Sequence, residues 1–146
     1  MVAVSSHLKL ALAWITATNQ MNLDQLASMI PDNFVSTIRP ASLNVTPANK
    51  TEFLERLGGA PIKTFNISLP TTENIVETTD VIQFYTTADG HTSHGFPWKN
   101  EYIFTFTFTD NNLIQSVTEF TDPTVVTTAF GKEATLAEIQ FNCTSA

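Results

Sequence analysis

The spacing of apolar residues along this chain changes once, near Pro61. Before that point, apolar residues recur every three or four positions, which is the period of an amphipathic helix. Three segments follow this pattern: residues 5–20, 22–29 and 49–57. Asn22 and Asn49 are suitable N-caps for the second and third helices. Between these two helices, the stretch DNFVSTIRP predicts a short strand that stops at Pro40.

After Pro61, apolar and polar residues alternate, which is the period of a half-buried strand. The alternation predicts five strands, at 62–69, 73–79, 80–88, 97–109 and 113–121. Turn residues interrupt the pattern at LPTT, ADG and DNN. The tail after Pro123 is ambiguous, and its stretch GKEATLAEIQ predicts a turn or two of helix. Helices followed by an antiparallel meander are typical of an α+β fold, here a single domain over residues 1–146.

The strand at 97–109 shows the clearest division into two faces. One face carries Trp98, Asn100, Tyr102, Phe104, Phe106 and Phe108. The other carries Lys99, Glu101, Ile103, Thr105, Thr107 and Thr109. Because successive side chains of a strand point to opposite faces, we expect the aromatic face to pack against the layer of helices. We expect the threonine face to meet water or a polar pocket.

Composition and charge exclude several classes of function. The net charge is −7 and the chain has seven Lys and Arg residues, so it has no basic surface for nucleic acid. Cys143 is the single cysteine, which rules out an intramolecular disulfide and a multi-cysteine metal site. The apolar stretch LKLALAWITA lacks the features of a signal peptide, and no run of about 20 apolar residues predicts a membrane span. We therefore expect a cytoplasmic protein that does not bind membranes.

Motifs of several large enzyme classes are also missing. The sequence contains no nucleophile elbow, P-loop, dinucleotide fingerprint or HExxH motif. Their absence argues against a serine hydrolase, a nucleoside triphosphatase, a Rossmann dehydrogenase and a zinc protease. What remains is acid–base chemistry without a cofactor, or no chemistry at all.

Three stretches resemble a known family: GFPWKNEYIFTFTF at 95–108, DNNLI at 110–114 and TEFTDP at 118–123. With the order of helices and strands, they resemble the SnoaL-like branch of the nuclear-transport-factor-2-like superfamily. The stretches IRPASL and NKTEFLERL are similar to small fungal members of this group. The chain departs from the family pattern at two places. Trp98 replaces the usual Tyr, and Asn112-Leu113 replaces the Gly-Lys of the turn.

The resemblance implies a cone-shaped, curved antiparallel sheet packed against three N-terminal helices, with a pocket between them. It also implies a homodimer formed through a sheet face and a small hydrophobic ligand. The group includes isomerases, cyclases and dehydratases, so we expect such a reaction, without a cofactor, on an oxygenated polyketide- or terpenoid-like metabolite. The alternative is a ligand-binding or dimerisation module without catalysis, because one fold serves many functions.

Glu119 and Asp122 are the first candidates for acid–base catalysis. Phenazine-biosynthesis-like members of the group have an acid–base Glu at the matching position, so the resemblance implies that Glu119 points into the cone. An apolar pocket raises the pKa of a carboxyl group and lets it exchange a proton near neutral pH. Alternatively, Glu119 pairs with Lys99 or Lys63 on an exposed face. Asp122 either caps the exit turn or acts like the acid–base Asp of some SnoaL-like cyclases.

His91 and His94, in the stretch GHTSHG, complete the catalytic candidates. Histidine moves protons near neutral pH, so a histidine on a mobile loop can act at the mouth of a pocket. The alternative is a solvated loop, and the sequence predicts no metal site because no further ligands lie nearby. Six residues are candidates for substrate binding: Arg39, which can anchor a carboxylate; Tyr85 and Tyr102, which can donate hydrogen bonds; and Trp14, Trp98 and Phe104, which can line the pocket. Each of the six can instead be an ordinary core or surface residue.

Overall fold

The computed structural model describes residues 3–144, which form four α-helices and six β-strands. The helices are α1 (Ser6–Asn19), α2 (Leu23–Met29), α3 (Lys50–Gly58) and α4 (Pro123–Thr144). The strands are β1 (Val35–Arg39), β2 (Ile62–Ile67), β3 (Ile75–Glu77), β4 (Val81–Thr92), β5 (Pro97–Phe108) and β6 (Ile114–Thr121). None of the helices in this part of the chain combines the length and the apolar character that crossing a membrane requires.

The three predicted N-terminal helices are present, and polar caps mark where they begin. At the start of α1, the Ser5 hydroxyl accepts a hydrogen bond from the backbone N–H of Leu8 at 3.0 Å. At the start of α3, Asn49 and Glu52 form a capping box, in which each side chain accepts the other residue's backbone N–H. These caps satisfy N–H groups that have no partner within the helix, which is why the sequence locates the helix starts well.

The strands form one sheet in the order β1-β6-β5-β4-β2, with the short β3 also paired to β4. All pairs are antiparallel except β1 and β6, which are parallel. The sheet is therefore mixed at one edge, whereas the sequence predicted antiparallel pairing throughout. A parallel pair needs a long connection, and here α3 and strands β2 to β5 supply it. The sheet is curved and does not close on itself, and the helices pack against it, so the predicted α+β fold is confirmed.

Strand β4 extends beyond its predicted end at residue 88 and includes the stretch ADG, which was predicted to be a turn. These residues pair with 98–100 of β5. A side chain at Gly90 would collide with the carbonyl oxygen of Thr64 on β2, so glycine allows the two strands to approach closely. The turn lies further on, where Gly95 has a φ of +85°. His91 is consequently part of a strand, which corrects its predicted place in a loop.

The ambiguous tail is one continuous helix, α4, rather than a turn or two. Asp122 caps its start, because the Asp122 carboxylate accepts hydrogen bonds from the Thr124 backbone N–H at 2.9 Å and the Thr124 hydroxyl at 2.7 Å. Pro123 occupies the first helical position, where its missing N–H leaves nothing unpaired. The β-branched run TVVTT and Gly131 lower the intrinsic helix propensity of this segment, which explains why the pattern alone predicted only a turn or two of the helix.

The core lies between helices α1 to α3 and one face of the sheet, called the inner face here. Every second residue of β5 from Trp98 to Phe106 is buried on the inner face, as the alternation predicted. Trp14 of α1 packs on it, with ring centroids 5.6 Å from Phe104 and 5.5 Å from Phe106. The opposite face, called the outer face, is largely exposed.

Candidate active site

A cavity of about 250 Å³ lies between the inner face of the sheet, helices α1 and α3, and the first turns of α4. Most of its wall consists of aromatic rings and aliphatic side chains. The wall residues that carry a charge or a hydroxyl group are Thr18, Arg56, Tyr102, Glu119 and Thr121. A mostly apolar wall with a few polar groups is the usual composition of a small-molecule site.

Glu119 reaches this cavity because of its position on β6. Side chains alternate along the strand, and Glu119 falls on the inner face. Its neighbours across the sheet, Ile38 on β1 and Phe104 on β5, also line the cavity. Within residues 3–144, Glu119 has no hydrogen bond and no ion pair, so the alternative pairing with Lys99 or Lys63 does not occur.

Burial raises the pKa of the Glu119 carboxyl from 4.5 to about 7. The cause is loss of hydration, because a wall made largely of carbon replaces the water around the charge. By accessible surface Glu119 is only half-buried, but it is surrounded by protein and its open surface faces the cavity. A ligand can therefore contact a carboxyl group whose pKa, near neutral, suits it to accept and to donate a proton.

Tyr102 lies close to Glu119 on the inner face and is 4% exposed. Burial raises the pKa of its hydroxyl well above the usual 10, and the negative charge of Glu119 adds to this effect. The Tyr102 hydroxyl lies near three polar side chains, those of Trp98, Thr121 and Asn100, which partly offset the rise of its pKa. None of the three has the geometry of a hydrogen bond with this hydroxyl. Tyr102 therefore stays protonated and remains a hydrogen-bond donor while Glu119 titrates.

Three buried polar atoms on the cavity wall have no hydrogen-bond partner within residues 3–144. They are the indole Nε1 atoms of Trp14 and Trp98 and the hydroxyl oxygen of Thr121. Trp14 is 3%, Trp98 5% and Thr121 2% exposed. An unpaired buried polar group costs about 1–3 kcal/mol, so such groups are rare in folded proteins. Their position around a single cavity indicates a site that offers hydrogen bonds to a ligand.

Asp122 does not line this cavity. Its carboxylate caps α4, and the hydrogen bonds from the side chain and backbone of Thr124 lower its pKa. The inner-face residue Asn100 holds the same corner, because its side-chain oxygen accepts the Asp122 backbone N–H at 3.1 Å. The structure thus places Asp122 at the junction between β6 and α4, where it orients a helix that forms part of the cavity wall.

His94 also lies outside the cavity, where it attaches α4 to the turn between β4 and β5. Glu133 accepts a hydrogen bond from the His94 backbone N–H at 2.7 Å, and its other carboxylate oxygen is 2.6 Å from the ring Nδ1. Burial alone raises the pKa of Glu133, but interactions with Thr92 and His94 outweigh it and lower the pKa to about 2. Glu133 lies in the stretch predicted to form a turn or two of helix, but no sequence signal indicated its contact with His94. His91 is exposed on β4, with Nδ1 3.1 Å from the Thr64 hydroxyl.

Arg39 and Tyr85 lie on the outer face. The Tyr85 hydroxyl donates a hydrogen bond to Glu101 at 2.8 Å, and Arg39 is exposed at the end of β1. The pairing of the strands places both in one row across the sheet with Phe120 and Ile103. The sheet therefore separates these two predicted binding residues from the cavity.

The structure brings together half of the predicted site residues. The cavity is lined by Glu119, Tyr102, Trp98, Trp14 and Phe104, whereas Asp122, His91, His94, Tyr85 and Arg39 lie elsewhere. Thr121 and Arg56 line the cavity but were not candidates. Thr121 was predictable, because it lies two positions after Glu119 on the same strand and therefore on the same face. Arg56 was not, because its place on the cavity wall depends on how α3 packs against the sheet. No group of three or more His, Cys, Asp or Glu side chains in residues 3–144 is arranged to hold a metal ion.

No protein-family model matches the chain, and no curated protein sequence matches it. Solved structures do match it. PrhC from Penicillium brasilianum aligns with a TM-score of 0.81 at 16% identity, over 90% of this chain and 90% of its own. The BvnE pinacolase from Penicillium brevicompactum aligns with a TM-score of 0.75 at 23% identity, over 90% of this chain and 96% of its own. A nuclear-transport-factor-2-like protein of unknown function from Burkholderia pseudomallei aligns with a TM-score of 0.72 at 10% identity, over 86% of this chain and 98% of its own. At these identities the likeness is one of fold.

Proposed function

We propose, from the nuclear-transport-factor-2-like fold of this chain and the geometry of its cavity, that the protein is a cofactor-independent isomerase, cyclase or dehydratase. The observation that carries the proposal is Glu119, an unpaired carboxyl group in an apolar cavity with a pKa of about 7. The likeness in fold to a pinacolase supports an enzyme. The apolar wall fits the small, hydrophobic, oxygenated metabolite that the sequence predicted, of a polyketide or terpenoid type.

The chemistry that this geometry supports begins with proton transfer at carbon. The Glu119 carboxylate removes a proton from a carbon next to a carbonyl group. The electron pair of that C–H bond forms a C=C bond to the carbonyl carbon, and the π pair of the C=O bond moves onto the oxygen. The Tyr102 hydroxyl, close to Glu119, is placed to donate a hydrogen bond to the resulting enolate. The acid form of Glu119 then returns the proton, either to another carbon, which isomerises the compound, or to a hydroxyl group, which leaves as water.

Proton exchange in heavy water tests this proposal without knowledge of the natural substrate. A panel of cyclic ketones is incubated with the protein in D₂O, and replacement of the α-hydrogens by deuterium is followed by NMR. We expect exchange in the wild type to rise with pH through about 7, as Glu119 loses its proton. We expect Glu119→Gln to lose at least about 100-fold of the rate, the usual contribution of a general base. Equal rates in the two proteins across this pH range would count against a catalytic Glu119.

A ligand-binding module without catalysis is the second candidate, and the composition of the cavity favours it in one respect. The other predicted acid–base residues, Asp122, His91 and His94, do not line the cavity, so Glu119 has no second titrating partner there. This candidate predicts ligands that raise the melting temperature of wild type and Glu119→Gln alike, with no exchange at carbon.

We also propose that the protein is a homodimer formed through the outer face of the sheet. Three large side chains on this face are exposed, Phe120 at 51%, Ile103 at 43% and Tyr85 at 38%. They lie side by side on β6, β5 and β4, and a contiguous exposed apolar patch is typical of an interaction surface. The cytoplasmic location inferred from the sequence stays a prediction.

A further inference from the structure

Two unpaired groups on the cavity wall, the indoles of Trp14 and Trp98, can only donate hydrogen bonds, which restricts the ligand that the cavity can bind. Neither indole nitrogen makes a hydrogen bond within residues 3–144. The hydroxyl groups of Tyr102 and Thr121 add two further donors on the same wall. These hydroxyl groups and Glu119 can also accept, but the indole groups cannot. A ligand that satisfies the two indole groups therefore presents oxygen acceptors to them.

The two indole groups serve different parts of the cavity. Trp14 packs on Phe104, with 5.6 Å between centroids, whereas Trp98 packs between Phe65 and Phe130, at 5.1 Å from each. Trp14 also contacts Phe53 and Phe106, so the two indole groups share no aromatic neighbour among the described residues. We therefore assign a separate ligand oxygen to each indole N–H group.

The charges at the cavity favour a neutral ligand. The acid on its wall is Glu119, which already loses hydration there, so a second negative charge nearby would be repelled. Arg56 is the cationic residue on the wall, but it is exposed and its guanidinium group donates a hydrogen bond to the Thr46 carbonyl oxygen at 3.1 Å. The wall thus offers neutral donors inside and a solvated cation at the rim.

We propose that the cavity binds a neutral, apolar ring compound with two separated oxygen acceptors, one held by Trp98 and Thr121 near Tyr102 and the other by Trp14. The inference rests on the proposed function, because the first oxygen is that of the carbonyl group beside which Glu119 moves a proton. Trp98, Thr121 and Tyr102 then share the negative charge of the enolate oxygen. Trp14 binds the second oxygen on the α1 side and sets the orientation of the ring system.

Four compounds with one carbon skeleton test the inference: decalin, 2-decalone, decalin-2,6-dione and decalin-2-carboxylate. Trp14 and Trp98 are the two tryptophans of the chain, so intrinsic fluorescence reports binding directly, and the four ligands absorb only weakly or not at all at the excitation wavelength. We expect 2-decalone to bind about 3–10-fold more tightly than decalin, because one hydrogen bond contributes about 1 kcal/mol net. We expect a similar further gain for the dione, and weaker binding of the carboxylate than of 2-decalone.

Variants that remove one donor each assign the two positions. Trp98→Phe and Thr121→Val should reduce the preference for 2-decalone over decalin about 3–10-fold, and Trp14→Phe should remove the extra gain of the dione. Val126→Ala is the matched control, since Val126 lines the cavity without a polar atom and should shift the affinities for all four compounds together. Trp14 is a core residue, so circular dichroism checks that each variant is folded, and Thr121→Val keeps nearly the same shape.

Three results would overturn the inference: equal binding of decalin and 2-decalone, a ketone preference unchanged by both Trp98→Phe and Thr121→Val, or tighter binding of the carboxylate than of the ketone. These outcomes are distinct from failure of the proposed function. Exchange of deuterium at the α-carbon tests Glu119 alone, whereas the affinity ratios test the donors and are measurable in Glu119→Gln. A ketone preference without exchange retains the binding inference and removes the catalysis.

Discussion

Glu119 ionises at a cost to the folded protein, because its carboxylate is buried without a partner. In the unfolded chain the group releases its proton near pH 4.5, whereas in the folded protein it does so near pH 7. Between these values the folded state binds the proton that the unfolded state has lost, so stability falls as the pH rises through this window. The difference between these two pKa values corresponds to at most about 3 kcal/mol at pH 8.

We therefore predict that Glu119→Gln, which is neutral at every pH, is more stable than the wild type at pH 8. The difference should approach the upper limit of about 3 kcal/mol only if water is largely excluded from the cavity, and it should disappear below pH 4.5. Urea unfolding of both proteins from pH 4 to pH 8 measures it. Glu77→Gln, at an exposed position on β3, is the control and should show no such trend. A constant difference across the pH range would contradict the buried, unpaired state of Glu119.

At the scale of secondary-structure elements, two glycines that look alike in the sequence have opposite roles. Gly90 lies in β4 where β2 approaches so closely that a Cβ atom would collide with the backbone of Thr64. Gly131 lies inside α4 with open space where a Cβ atom would be. From the sequence pattern, each glycine predicts a break in its element. In the structure, Gly90 is necessary for the pairing of β2 with β4, whereas Gly131 only lowers the stability of α4.

We predict that Gly90→Ala destabilises the protein by at least about 2 kcal/mol, because β2 and β4 must separate to admit the methyl group. Gly131→Ala is the matched substitution and should stabilise the protein by about 0.5–1 kcal/mol, since alanine loses less entropy in a helix. Thermal unfolding of both variants beside the wild type measures the two effects. The prediction fails if both substitutions change the melting temperature in the same direction.

At the scale of the whole molecule, the outer face of the sheet is the surface with an unexplained apolar patch. The row formed by Phe120, Ile103 and Tyr85 crosses the three central strands and is rimmed by polar groups such as Glu101 and Arg39. Apolar side chains exposed side by side are costly in a monomer, because burying each one in an interface removes it from water.

We predict a homodimer at micromolar concentration, with this row at its centre. Ile103→Glu should convert the dimer to a monomer, because it places two like charges near the middle of the interface. Ile139→Glu is the matched control, since Ile139 is 52% exposed on α4, which borders the cavity on the inner side of the sheet. Sedimentation velocity measures both. A wild-type protein that sediments as a monomer at this concentration would remove the proposed dimer.

The helices α1 to α3 and the two faces of β5 are predictable from the sequence, because their causes are local. A cap such as Asn49, a helical period or an alternation such as Trp98 to Phe106 acts within a few residues of itself. The nuclear-transport-factor-2-like fold implied by the motifs is confirmed by the solved structures that match it. The single-domain division over residues 1–146 stays a prediction.

The site was predictable only in part, because a cavity joins residues that are far apart in the chain. Alternation along β6 put Glu119 on one of two faces, but the parallel pairing with β1 and the helices packed on the inner face decided which face is enclosed. The capped helix α4, attached through Glu133 and His94, completes the wall, and local propensity indicated only a turn or two of it. The position of Arg39 and Tyr85 on the outer face was not predictable either. Alternation assigns each residue to one of two faces, but packing between distant elements decides which face encloses the cavity.

The periodicity, the caps, the aromatic face of β5 and a carboxylate in β6 follow from the amino-acid order alone, because each depends on neighbours along the chain. Tertiary structure decided that Glu119 is desolvated, that Gly90 serves strand pairing rather than a turn, and that Trp14 and Trp98 border the same cavity. Burial and the lack of a hydrogen-bond partner are properties of the packed elements, since they depend on which distant residues surround an atom.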